Sequence, residues 1–460
     1  MKRLLKISIG KYFLIICSMI FLVSFPESIP AATDDYMEAQ TTIMESFDAL
    51  WAGKTFSPDL KKKQQALKKR LENRSLNKTD LERMILETVM SLLNQQKTNR
   101  YALAEIPERI NEMLSPYLEW EELRRIFWSK GATAFGNGNQ LEFTVGTLAP
   151  VGTPWLVVPE KLMSEISQMS SNKVAFKIYS SGVMGEDVDI LRKMDIGQLD
   201  GCGCTAKGIL TACPETYVFL LPGLFNDYEE IDFIFKKFRK RIDAFFEEKG
   251  YLLAALIDTG NFYLFSKQKI SSLAALRTAR TMTTFGVVET TLYENLGITP
   301  IPVSITEVIS SLSTGMADTI SAPASWMLGM QCYQYVNFYV AEPLFYSPAA
   351  IIVRTGINDK LKNKLGLSDI LTHNLQEMLV FEFSSIEDEW KADTRKFEKK
   401  CLEAFTAKTG MKTSTLSPED KKVIKQMGQK VWSDLAGKVY SQELLNDILQ
   451  ALKDYRQAKQ

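Results

Sequence analysis

The sequence predicts an α/β protein of two similar lobes, preceded by an all-α N-terminal region and followed by a helical tail. Three observations carry that expectation. The apolar spacing changes from helical to alternating at Leu141, strands and helices then follow one another through short joins, and two distant passages repeat one plan. In those passages, KMDIGQLDGCG and SLSTGMADTIS, a helix ends at glycine, two residues follow, and an aspartate leads into a strand. Helical crossovers between neighbouring strands cover both faces of a parallel sheet, so the strands read as short apolar runs.

The chain has 460 residues, 55 basic and 55 acidic side chains and one histidine, so it carries no global field that would attract nucleic acid. Its length suggests roughly three folding units. In order along the chain, MKRLLKISIGK is basic, YFLIICSMIFLV is apolar, and SFPESIPAA ends in small residues before TDD. That is the order of a secretory signal peptide, expected to end near Ala32 and to place the remainder in the periplasm, with an uncleaved membrane anchor as the alternative. The apolar run falls short of the roughly 20 residues that a membrane-spanning helix needs.

Residues 33–135 read as helical, with Met44, Phe47, Leu50 and Trp51 at helix spacing. The run KKKQQALKKR reads as a solvated helix face, since acidic residues follow closely. AFGNGNQ, residues 134–140, marks a linker. LEFTVGTL then reads as a strand, TPWLVVPEKLMSEISQMS as a helix and KVAFKIYS as a strand. EDVDILRKMDIG is a helix with Val188, Ile190, Leu191 and Met194 on one face and Gly197 suited to its C-terminal cap. LDGCGCTA follows as a strand with almost no polar side chain, and these elements argue for a parallel sheet. KISSLAALRTARTMTT, FGVVETTLYENLGITPIPV and TEVISSLSTGMADTISAPASWM repeat the alternation, and beyond about Asn358 the chain is helical.

Little in the sequence supports catalysis. His373 is the only histidine and lies in the helical DILTHNLQEML, away from any Ser or Cys pattern that needs a base. The acidic pairs Glu186–Asp187 and Glu229–Glu230 are adjacent in sequence, so they diverge on a helix and read as N-terminal helix charges. Cys202 and Cys204 alternate with glycine on one strand face and read as small buried side chains. With Cys213, Cys332 and Cys401 they leave an odd number after residue 32, which excludes a complete disulfide framework. Neither a second C-x-x-C nor a histidine cluster supports zinc, so no metal, cofactor or enzymatic activity is expected.

Five passages, taken in order, resemble the extracytoplasmic solute receptors of tripartite ATP-independent periplasmic (TRAP) transporters. They are TPW after the first strand, YSSGVMGEDVDILRKMDIGQLDG, FLLPGLFNDYEE, GITPIPVSITEVISSLSTGMADT and YSPAAIIV, within about Leu141 to Arg354. The resemblance implies a two-lobed periplasmic binding protein with strands crossing between lobes and a helical element packed over both. Lobe I would take 141–265 first, lobe II 266–343, and 344–460 would return to lobe I and supply the C-terminal helices. A small organic solute captured by closure, and integral membrane subunits that receive it, are the implied partners.

Two departures from that family matter. The helices before Leu141 lie outside its pattern, and residues 36–130 read either as a surface for a protein partner or self-association or as a stabilising cap. Members that bind carboxylates carry an arginine in a strand before the stretch matching FGVVETTLYENLG; here an ungapped count places Met282 there, with Arg280 and Arg277 nearby. Two further polar positions fall on Tyr263 and Ala322. The expected cleft is therefore apolar, lined by Trp155, Tyr263, Met282, Ile305, Ala322 and Trp326, with Arg280 as the alternative anchor. It would suit a neutral or amphipathic solute. Gly182 and Gly185 are expected to turn the chain at this cleft, with the helix from Glu186 aiming its N-terminal amides at it. The alternative is a periplasmic interaction or sensing protein on a receptor-like fold, with the N-terminal helices as docking surface.

Overall fold

The computed structural model of the chain describes residues 140–284, 286–355 and 369–459, together with parts of 38–133. The expected signal peptide and much of the N-terminal helical region lie outside the described residues. Among the described residues, α1 (Pro58–Glu72) and α2 (Trp120–Thr133) precede the sheet. Then β1 (Leu141–Thr147), α3 (Pro154–Met169), β2 (Val174–Tyr179), α4 (Asp187–Asp195), β3 (Gly201–Cys204) and α5 (Ala206–Ala212) alternate, and α6 (Tyr228–Glu248) leads into the long β4 (Tyr251–Ser266). A second alternation comprises α7 (Leu273–Thr278), β5 (Thr281–Thr283), α8 (Val287–Asn295), β6 (Ile301–Pro302), α9 (Val308–Thr314), β7 (Thr319–Ala322) and α10 (Ala324–Gly329). β8 (Phe338–Val340), β9 (Phe345–Arg354), α11 (Asp369–Ser385), α12 (Glu387–Lys408), β10 (Lys412–Ser414), α13 (Pro418–Leu435) and α14 (Gln442–Ala458) follow.

The chain forms two compact units. One comprises Met1–Glu142, Met163–Ala175 and Asn358–Ser385. Inside it, α2 is fastened to α11: Trp120 meets Phe381 edge-on at 5.1 Å, and Trp128 Nε1 donates to Glu382 at 2.8 Å. Arg124 Nε donates to both Glu382 oxygens at 3.0 and 2.9 Å in a fork-shaped pairing that suits guanidinium and carboxylate.

The other unit comprises Phe143–Leu162, Phe176–Ile357 and Ile386–Gln460 and holds most of the sheet, whose strand order is β2-β1-β3-β9-β4-β7-β5-β6. β1 and β3 run parallel, as do β5 with β6 and β5 with β7. The expectation of a parallel sheet needs one correction, because β9 is antiparallel to β3 and to β4, and β4 is antiparallel to β7. The reason is topological. β4 pairs with β9 from Tyr251↔Arg354 to Phe262↔Phe345 and then, over Tyr263–Ser266, with β7. One strand thus carries the chain out of the first group of strands into the second, and β9 brings it back in the opposite sense.

Within β4 the register shifts between Asp258 and Gly260, and Gly260 has φ +114°, a conformation that a side chain strains. β4 is buried almost throughout, including Asp258. A buried carboxylate must be paired, and α12 supplies the partners. Arg395 Nε donates to Asp258 at 2.5 Å while its two terminal nitrogens each donate to Asp232 at 2.7 Å. Glu387 accepts from Leu256 N at 2.9 Å and from Arg239 at 2.7 Å, and Lys391 bonds it at 2.9 Å.

Candidate solute-binding cleft

A cavity with about 520 Å³ not filled by atoms lies where the ends of β1 and β3 face the crossing strands β4 and β9. Trp155, Ile305, Trp326 and Trp390 complete its wall. Its shape follows from local chemistry. Thr153 Oγ1 donates to Pro150 O at 2.7 Å and Pro154 opens α3, where its missing N–H costs nothing, and this places Trp155 in the first helical turn. The Trp155 indole then donates to Asp258 O at 2.9 Å, tying α3 to β4.

Among the described residues, the wall carries no charged side chain. Its polar side chains are mostly occupied: Thr147 Oγ1 donates to Gly203 O at 2.8 Å, Thr259 Oγ1 to Pro348 O at 2.8 Å, Thr205 Oγ1 to Asp187 at 2.5 Å and Trp390 Nε1 to Pro154 O at 3.0 Å. Among the described residues of this wall, the Trp326 indole N–H is left without a protein acceptor.

Of the residues singled out from sequence, Trp155, Ile305 and Trp326 meet on this cavity. Met282 does not: it is fully buried on β5, paired with Ile301 and Ile320 of the neighbouring strands. Ala322 is likewise buried and lies opposite the half-buried Tyr263 in the β4–β7 pairing. Burial raises the Tyr263 pKa to about 12. Arg280 is 57% exposed and pairs with Asp318 at 3.3 Å, while Arg277 donates to Leu296 O at 2.8 Å. Neither guanidinium lines the cavity.

The glycine loop lies off the lining of this cavity. Gly182 and Gly185 do adopt positive φ, +76° and +92°, and a Cβ on Gly182 would sit 3.1 Å from Leu148 and 3.4 Å from Thr306. At the α4 N-terminus, Glu186 N donates to Asp189 Oδ2 at 3.1 Å, and the first turn of α4 is not part of the cavity lining. Glu186 instead reaches across: Oε1 accepts from Ile305 N at 2.6 Å and Oε2 binds Lys207 Nζ at 2.6 Å. Residues before and after the β4 crossing are thereby joined directly, beside Ile305 on the cavity wall.

The cysteine reading is also corrected. Cys202 and Cys204 are buried and bonded to each other, since side chains two apart on a strand share a face. Asp187 lies alongside; burial raises its pKa to about 6 against hydrogen bonds from Thr205 and Gly208. The residues missed from sequence are those of the α12 stripe, Glu387, Lys391, Arg395 and Glu398, spaced by four, four and three so that they share one helix face.

Residues 145–438 match the model of the bacterial extracellular solute-binding protein family 7. The chain belongs to that family. Among family 7 relatives, a solute-binding protein of Roseobacter denitrificans is 21% identical over 189 residues, 41% of this chain and 58% of the relative. The chain spans about three-fifths of the length of the curated relatives it matches. A TRAP periplasmic solute binding protein from Desulfovibrio salexigens, solved with bound orotic acid, superposes with a TM-score of 0.61 at 19% identity, over 68% of this chain and 99% of that one. The sugar acid binding protein of Advenella mimigardefordensis, solved with galactonate, gives 0.59 at 18% identity, over 69% and 99%. At such identities the likeness establishes the two-lobed periplasmic binding protein fold of this family 7 chain.

Proposed function

We propose that this chain is the solute-capturing receptor of a TRAP-type secondary transporter and that its solute is a small neutral or amphipathic organic molecule. Residues 1–32 direct export to the periplasm, the lobes over 141–265, 266–343 and 344–460 close on the solute, and integral membrane subunits receive it. The receptor binds without converting its ligand. The single observation that carries the solute class is the cavity wall, three tryptophans and no charged side chain. A carboxylate buried there without a guanidinium would lose its hydration uncompensated. The free Trp326 N–H offers one hydrogen bond to an acceptor on an otherwise apolar molecule. Trp155, Ile305 and Trp326 are thus the contact residues of this reading, while Tyr263, Met282 and Ala322 shape the strands behind them.

Calorimetric titration with size-matched pairs, each a carboxylate and its primary amide or alcohol, tests the claim. The neutral members are expected to bind, and Trp326→Phe to weaken them about 10-fold, the worth of one neutral hydrogen bond. Preference for the carboxylates, lost in Arg280→Ala, would return this chain to the acid-binding habit of its relatives.

A further inference from the structure

A second cavity borders the same crossing strands. It has about 590 Å³ not filled by atoms. β4 gives Ile257 and Thr259 to the cleft but Asn261 to this cavity, and β9 gives Ala349–Ile351 to the cleft but Phe345 and Tyr346 here. The segment entering α6 supplies Phe225, Asn226, Asp227 and Tyr228.

We propose that this cavity binds a small organic cation of the substituted-ammonium class. Three aromatic rings meet there at right angles: Phe225 and Tyr228 each stand 6.2 Å from Tyr346, at 89° and 84°. Aromatic rings on a cavity lining offer apolar surface and, where a face is open, a cation–π contact to an alkylated ammonium group. The Tyr228 ring already carries the Arg395 guanidinium at 4.2 Å, so one of these rings holds a cation within the protein itself.

Charge points the same way. Asp227 is the only charged residue of the lining; its Oδ1 caps α6 by accepting from Glu230 N at 2.8 Å, and the residue is exposed. The charged groups packed around the rings are already matched. Arg395 is held by Asp232 and Asp258, and Arg456 by Glu230 at 2.7 Å through each of two nitrogens. With those groups paired among themselves, Asp227 is the carboxylate left on the lining, and its negative charge favours a cationic guest.

The test uses the full mature chain and three probes: choline, its uncharged isostere 3,3-dimethyl-1-butanol, and acetate. Calorimetry and saturation-transfer NMR are expected to show choline binding at least about 10-fold tighter than the isostere, with acetate silent. Asp227→Asn keeps an N-cap residue of equal quality and is expected to bring choline down to the isostere's affinity. Phe225→Ala is expected to weaken both. The proposal fails if choline does not bind up to about 10 mM, the limit of a useful site. It also fails if choline and the isostere bind alike, or if choline binding survives Asp227→Asn and is lost in Trp326→Ala, which would put the cation in the solute cleft.

Discussion

Glu398 decides how firmly one wall of the cleft is held. Buried on α12, it accepts hydrogen bonds from Ala324 N at 2.5 Å and Ser325 N at 2.9 Å, the amides that open the short helix carrying Trp326. Burial outweighs those donors and raises its pKa to about 7. Because the folded value lies above the unfolded one, near 4.3, the folded state retains a proton that the unfolded chain has released. That stability is fully present below the unfolded pKa and is lost as pH rises through the folded one, a difference on the order of 3 kcal/mol. Thermal unfolding of wild type between pH 4.5 and 7.5 should therefore decline more steeply than that of Glu398→Gln; identical slopes would show that Glu398 is ionised throughout. Arg395→Met should cost about 3–5 kcal/mol in urea unfolding, since it strands the buried Asp258 and frees Asp232. These residues were hidden in the sequence for a physical reason. Charges spaced by four on a helix read as a solvated face unless something says that β4 covers them. Trp155 and Trp326 were easier to single out, because a large aromatic beside a proline turn or a strand end has few places to go. Met282 and Ala322 could not be told from core by type alone, and the strand pairing puts them there.

At the scale of elements, the loop from Ser180 to Glu186 bridges residues on either side of the β4 crossing. Glu186 joins Lys207 on α5 to the backbone at Ile305, and Gly182 lets the loop lie against Thr306. Glu186→Ala removes a charge-assisted bond to a backbone amide, worth about 1.5–3 kcal/mol. Stopped-flow binding should show the solute leaving roughly 10-fold faster with little change in the association rate, and scattering should report a larger radius for the solute-bound variant. An unchanged dissociation rate would mean that closure is held elsewhere. The alternation of strands and helices from β1 to β3 was legible because apolar period, glycine and short joins all agree. The senses of β4 and β9 were not, because both are uniformly apolar and their pairing partners lie far away in sequence. Gly260, with φ +114° beside the buried Glu398, marks the shift in register; Gly260→Ala should destabilise the protein by about 1–2 kcal/mol, measured by urea unfolding.

For the whole molecule, the two-lobed family 7 fold and an apolar interior wall together make a statement about what is carried. The family was legible from five short passages in order, each of them a turn, cap or strand entry that the fold requires. The proposed departure in solute chemistry rests in the sequence on missing polar anchors, and an absent arginine says less than a present one. A solute that binds the folded chain and not the unfolded one stabilises it by mass action, about 2.7 kcal/mol at a hundred times its dissociation constant, so a bound solute should survive gentle purification. The direct measurement is a native mass spectrum of the mature protein taken from the periplasm of its own cells, followed by denaturation and identification of what is released. A stoichiometric neutral or amphipathic compound, absent from the spectrum of a Trp155→Ala, Trp326→Ala double variant, is the predicted result. A stoichiometric carboxylate whose retention depends on Arg280 would contradict the apolar cleft.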